Sequence, residues 1–212
     1  MMALLPVLPD AIKGFEDVNR YWDSYAQAWV AKILPGQLYV SCSDDEVIST
    51  TLGSCVAACI RDRIKGIGGV NHFMLPWTEN APSETWKGMA TRYGSFAMES
   101  LINEILKAGG ERCNLEMKVC GGARIINGIS NDIGRKNSDF ILSFAQTEGI
   151  PLIAYDLGDI HPRKLMYYPS TGQMYVKRIQ QLHNDTVYQR ESQYHEQLKA
   201  APQSGGVELF DR

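Results

Sequence analysis

No C-x-x-C pair occurs among the five cysteines, Cys42, Cys55, Cys59, Cys113 and Cys120, and an odd number fits poorly with a secreted disulfide framework. They read as reduced thiols. A zinc site drawn from Cys55, Cys59 and His72 would rest on a C-x₃-C pair and one histidine, without the paired spacing of zinc proteins, so neither metal nor other cofactor is expected. Clusters of one charge are missing too. The 21 Lys and Arg are scattered among 24 Asp and Glu for a net charge of −3, which argues against nucleic acid or an anionic membrane as partner. The uncharged run 47–60 falls short of the roughly 20 residues a spanning helix needs, so membrane insertion is not expected. The N-terminal segment has no basic start and no small-residue cleavage pattern, and it holds Pro6 and Pro9, which makes the cytoplasm the expected location. Gly66, Gly68 and Gly69 lead into a β-like run rather than a helix, so the geometry that cradles phosphates is absent.

What the chain does have is enough apolar material for one core: 212 residues, 44% of them hydrophobic. Its organisation reads as a leader at 1–36 that packs on the core, a core at 37–179 and a polar tail at 180–212. In the leader, Phe15, Val18, Trp22, Tyr25, Trp29 and Ile33 recur at near-helical spacing and stop at Pro35-Gly36. Short apolar runs predict strands at 38–42, 47–51, 55–60, 69–75, 115–120, 151–155, 164–168 and 173–179, the last two forming a hairpin. Residues 77–88 read as a loop bordering the site, with Trp77 on it. Helices are predicted at 91–108, with Phe96, Ala97, Leu101, Ile105 and Ala108 on one face, and at 138–148, carrying Ile141, Leu142, Phe144 and Ala145, with Asn137 as N-cap. Strands bunched around two helices give a single-domain α+β fold. The tail is rich in Gln, His, Asn, Glu and Ser and is expected to be mobile or only locally helical, with an apolar patch at 207–210 near its end.

The stretch STTLGSCVAACIRDRIKGIGGVNHFMLP places Cys55 directly after Gly53-Ser54, and His72 seventeen positions later on a second apolar run. Strands joined by the turn at 61–69 would be neighbours, so a thiol at the start of one can meet an imidazole on the other. That pairing matters because the thiolate is the nucleophile, and an adjacent imidazole can take its proton. On residues alone, a small buried cysteine beside a strand is more often core filler than catalyst, and a satisfied, partly buried histidine is the corresponding reading of His72.

The run Thr51 to Cys59, TLGSCVAAC, followed by GGVNHFMLP at Gly68 to Pro76, resembles the signature of the CheD family, the chemoreceptor glutamine deamidases of bacterial chemotaxis. Later landmarks resemble it in order: Cys120-Gly121-Gly122-Ala123, Asn131-Asp132-Ile133-Gly134 with Asn137, Asp156-Leu157-Gly158 with Arg163-Lys164, and Ser170-Thr171-Gly172. The resemblance implies a mixed β-sandwich with helices packed on the outside. It also implies a nucleophile at Cys55, a general base at His72, and a threonine ahead of the cysteine as third member of a triad. The position expected for that threonine holds Ser49, and Thr50 and Thr51 follow, so Ser49 completes the expected triad with its two neighbours as alternatives.

The chemistry this implies is attack by Cys55 on a glutamine side chain of a chemoreceptor, loss of ammonia aided by His72, and hydrolysis of the thioester to glutamate. A glutamyl methyl ester differs only in its leaving group. Backbone N–H groups near Ser54 and Cys55 are the natural oxyanion donors, and Gly53 permits the tight turn, with Thr51 and Asn71 as further site-shaping residues. The resemblance implies chemoreceptor cytoplasmic domains as protein substrate and a CheC-type phosphatase as a further partner. An adaptor that regulates that phosphatase, with weak or no turnover, is the alternative to an enzyme.

Overall fold

In the computed structural model, residues 6–76, 83–124, 133–180 and 186–200 are described. Among these residues ten strands run β1 (Asn19–Asp23), β2 (Ala28–Lys32), β3 (Leu38–Ser41), β4 (Glu46–Leu52), β5 (Val56–Asp62), β6 (Gly68–Phe73), β7 (Leu115–Gly121), β8 (Leu152–Leu157), β9 (Arg163–Tyr168) and β10 (Gln173–Arg178). Three α-helices accompany them: α1 (Ser83–Lys107), α2 (Ile133–Thr147) and α3 (Thr186–Ala200). Trp77, Asn131, Asp132 and the patch at 207–210 lie outside the described residues.

The strands form two five-stranded sheets, β1-β2-β4-β9-β10 and β3-β6-β5-β7-β8. Both are mixed, since β2 lies parallel to β4 and β7 parallel to β8 while every other pair is antiparallel. The centre of the second sheet is the driest part of the molecule. Every residue of β6 is buried, and in β5 only Arg61 is not. Strands covered on both faces read as continuous apolar or small-residue runs, which is the pattern of VAACI in β5. Met98, Leu101, Ile102 and Ile105 of α1 and Ile141, Phe144 and Ala145 of α2 supply the helical side of the core. Each such large aliphatic or aromatic side chain contributes about 1.5–3 kcal/mol relative to an exposed one. The fold is α+β with sandwiched mixed sheets, as the sequence led us to expect.

Several local expectations are corrected. The near-helical stripe of the leader is a β-hairpin: Trp22 and Trp29 face each other across β1 and β2 with ring centroids 5.7 Å apart. The turn between them is set by Asp23, whose Oδ1 accepts from the N–H groups of Tyr25 and Ala26 at 2.8 and 3.1 Å, so Tyr25 projects into solvent. Helix α1 starts at Ser83, inside the stretch expected to be loop, and its Phe96 is exposed while Met98 and Ile102 take the inner face. Asn137 does not cap α2 but lies within it, fully buried. The polar tail includes α3, which docks two buried side chains, Glu191 and Tyr194, against the core.

Candidate active site

Strand β4 belongs to one sheet and β5 to the other, so the chain crosses between the layers at Gly53, Ser54 and Cys55. Backbone groups on such a crossing belong to neither ladder and must find other partners. On one side they do so through their carbonyls. Gly53 O accepts from Ala123 N at 2.7 Å, Cys55 O from Gly122 N at 2.8 Å, and Ser54 O from Asn137 Nδ2 at 2.8 Å. Asn137 Oδ1 in turn accepts from Leu75 N at 2.9 Å, so one side chain joins the crossing to the segment just after β6. The close approach is possible only without side chains on the glycines behind it. A Cβ on Gly121 would lie 2.2 Å from Cys55 O, one on Gly122 2.2 Å from Ser138 Oγ, and both residues have positive φ.

With the carbonyls held there, the N–H groups of residues 53–55 converge elsewhere, on the carboxylate of Glu191. Oε1 accepts from Gly53 N at 2.7 Å and Cys55 N at 3.2 Å; Oε2 accepts from Ser54 N at 2.8 Å and Ser54 Oγ at 2.7 Å. Four donors fill the roughly four lone-pair directions of a carboxylate, which explains how the interior accommodates Glu191.

His72 sits on β6 with its backbone opposite Ala57 of β5. Its Nδ1 lies 2.8 Å from Thr50 Oγ1, and Thr50 Oγ1 also lies 2.9 Å from Ile33 O. The threonine hydroxyl has one proton, and the carbonyl can only accept it, so the imidazole must donate from Nδ1 and present a bare lone pair at Nε2. Nε2 is buried with no hydrogen-bond partner among the described residues. The Cys55 sulfur, a His72 ring nitrogen and a Glu191 oxygen all lie within 4.8 Å of one another. Such a donor set could also suit a divalent metal, although the oxygens of Glu191 are already engaged by the four donors. Cys59, the other thiol weighed for zinc, lies within β5 and is not one of the three.

Burial dominates the electrostatics. It pushes the Cys55 thiol well above its ordinary value, and the negative charge of Glu191 adds to that. It pushes the His72 imidazole down to about 3. In this arrangement both groups are neutral.

Of the residues singled out in the sequence, the structure brings together Cys55, His72, Gly53 and Ser54. Ser49 does not reach the imidazole. Neighbours on a strand point to opposite faces, and Ser49 Oγ donates to Leu165 O of β9 at 2.9 Å, so the hydroxyl against His72 is that of Thr50. Thr51 lines a small cavity together with Thr50, Arg190 and Glu191. Asn71 braces the sheet instead: its Oδ1 accepts from Ala58 N at 3.0 Å and its Nδ2 donates to Ala97 O at 3.0 Å. Sequence reading missed Glu191, which has no signal beyond one acid in a polar helix. It also missed the bridging role of Asn137, which was legible only as a polar residue at a helix start.

A family model described as CheD chemotactic sensory transduction matches residues 74–178. Among curated relatives, "Probable chemoreceptor glutamine deamidase CheD" of Halorhodospira halophila (strain DSM 244 / SL1) is 48% identical over 207 residues, covering 96% of this chain and 94% of its own. The proteins of the same name from Herminiimonas arsenicoxydans and Hahella chejuensis (strain KCTC 2396) are 47% and 43% identical, covering 91% and 95% of this chain and 94% and 95% of their own. With relatives this similar from end to end, the chain belongs to the CheD family.

Proposed function

We propose that this protein deamidates glutamine side chains of chemoreceptors, with Cys55 as nucleophile, His72 as general base and then acid, and Thr50 as the residue that positions His72. The observation that carries the reading is the His72 tautomer. Because Thr50 gives its proton to Ile33 O, Nε2 is left as an acceptor on an imidazole with a ring nitrogen within 4.8 Å of the Cys55 sulfur, which is the state a general base needs.

The steps follow from that arrangement. Cys55 Sγ gives its proton to His72 Nε2 and attacks the amide carbon of the substrate. The oxygen of the tetrahedral intermediate takes its place at the N–H groups of Gly53 and Cys55, which already converge on an oxygen there. His72 passes the proton to the departing nitrogen, ammonia leaves, and a thioester remains. Water, deprotonated by His72, then cleaves the thioester, giving glutamate and free thiol. A glutamyl methyl ester would follow the same path with methanol as leaving group. A cytoplasmic location goes with a receptor's cytoplasmic domain as substrate, and none of the described helices is long and apolar enough to cross a membrane.

The experiment is incubation with receptor cytoplasmic fragments, read by mass spectrometry as glutamine-to-glutamate conversion, with Cys55→Ala and His72→Ala as controls. Conversion that both substitutions abolish is expected. Absence of conversion by folded protein, with binding of a CheC-type phosphatase that survives Cys55→Ala, would replace the enzyme with an adaptor. Conversion of free glutamine at comparable efficiency would make it a small-amide hydrolase.

A further inference from the structure

The nucleophile and its base are both buried, and the described helix α3 reaches them. Cys55 is 0% and His72 1% exposed, and a carboxylate oxygen of Glu191 on α3, itself buried, lies within 4.8 Å of both the Cys55 sulfur and a His72 ring nitrogen. The fit extends along the helix. Tyr194, one turn on from Glu191, hydrogen-bonds through its hydroxyl to that of Tyr93 on α1, and its ring packs where a Cβ on Gly36 would come within 2.9 Å. Two side chains at helical spacing, one in the oxyanion donors and one against α1 and the turn before β3, define a seat for a helix.

What that helix presents is informative. Deamidation replaces a glutamine amide by a glutamate carboxylate, and the group held at Gly53, Ser54 and Cys55 is a glutamate carboxylate on a helix. Building on the deamidase reading, we propose that α3 is a tethered stand-in for the reaction product: it occupies the seat of a substrate helix, shuts Cys55 off until it lifts, and would itself be deamidated by Cys55 if residue 191 were glutamine.

In that conversion, run in a Glu191→Gln variant, Cys55 Sγ bonds to the carbon of the introduced amide and its proton passes by way of His72 to the nitrogen, which leaves as ammonia. Water then cleaves the thioester, restoring the carboxylate of Glu191 and a protonated thiol. Two donors, Gly53 N and Cys55 N, would hold the amide oxygen as they hold Oε1 now. Ser54 Oγ, which can also accept, would face the amide nitrogen, while Ser54 N, which donates to Oε2 now, would give up its acceptor until the carboxylate is restored.

Three measurements on the full-length chain test this. First, Cys55 should be alkylated by iodoacetamide about tenfold faster or more in Glu191→Ala than in the unsubstituted protein, because the competent fraction rises. The exposed Cys42 and Cys113 serve as internal references at unchanged rates. Second, Glu191→Gln should be recovered with glutamate at 191, at a rate independent of protein concentration, and should keep glutamine when Cys55→Ala is added. Third, Glu191→Ala should convert receptor fragments faster than the unsubstituted chain.

Equal alkylation rates would overturn the closure even if receptor conversion stands. Faster alkylation with glutamine retained at 191, while receptors are converted, would overturn the product likeness and leave the deamidase intact. Faster alkylation with no glutamine converted anywhere would bring down the deamidase reading, and the product likeness with it. Because Tyr194→Ala loosens α3 without touching the carboxylate, it should raise Cys55 alkylation too, and an unchanged rate there would refute the helix seat.

Discussion

A threonine hydroxyl offers one proton and two lone pairs, and at Thr50 the proton serves Ile33 O while a lone pair serves His72 Nδ1. Thr50→Val keeps the shape and removes the acceptor, so the imidazole is free to turn or to change tautomer. Turnover should fall by about 10²-fold, the lower range of acid–base contributions, with KM little changed. Thr50→Ser should restore most of it, which a purely structural role would not require. Ser49→Ala should stay within a few-fold of the unsubstituted enzyme, since its hydroxyl serves the carbonyl of Leu165. Kinetic assays on receptor fragments distinguish the three. The pair Cys55 and His72 was legible in the sequence because a short turn between two apolar runs makes neighbours of them. Choosing between Ser49 and Thr50 was not. Strand phase is decided by which face meets the other sheet, and a run of hydroxyl residues carries no hydrophobic alternation to reveal it.

At the level of elements, the site hangs on one crossing between sheets and on the side chain of Asn137 that fastens it. Asn137→Ala deletes hydrogen bonds to Ser54 O and Leu75 N and leaves both backbone groups unmatched in a dry setting. The cost should be about 1–3 kcal/mol for each unmatched group, read as a lower urea midpoint, with activity lost beyond what the fall in stability explains. Gly121→Ala should be worse. Its Cβ would collide with the Cys55 carbonyl, a backbone atom that cannot swing aside, so little folded protein is expected on size-exclusion chromatography. Element type was readable where the buried positions form a continuous apolar run or a clear stripe, as in β4 to β7 and in α1 and α2. It was misread in β1 and β2, where Trp22 and Trp29 pair across a hairpin and their spacing happens to approximate two helical turns. The docking of α3 was invisible for a different reason. Its seat is held by a carboxylate and a phenol rather than by an apolar stripe, so composition pointed only to a mobile or locally helical tail.

For the molecule as a whole, the low basicity of His72 ties stability to acidity. Burial lowers the folded-state value to about 3 from an ordinary 6.5. Between those limits the unfolded chain binds a proton that the folded chain does not, so stability falls as the pH is lowered from 6.5 toward 3. His72→Gln should flatten that part of a plot of melting temperature against pH, and an unaltered slope would mean that the imidazole is not the group responsible. The α+β class followed from strand-like runs bunched around two helices, and the two-sheet sandwich from the resemblance to the CheD family. Which strands share a sheet did not, because β2 beside β4 and β7 beside β8 are parallel pairings between segments that are not joined by a hairpin. At the site, the bond from Thr50 of β4 to His72 of β6 spans the two layers. That bond makes the proposed catalytic centre a strain gauge for the whole sandwich. A slip of the layers by a fraction of an ångström would silence the enzyme while every strand stayed intact, so heating should extinguish activity at temperatures where the circular dichroism signal has not yet begun to change.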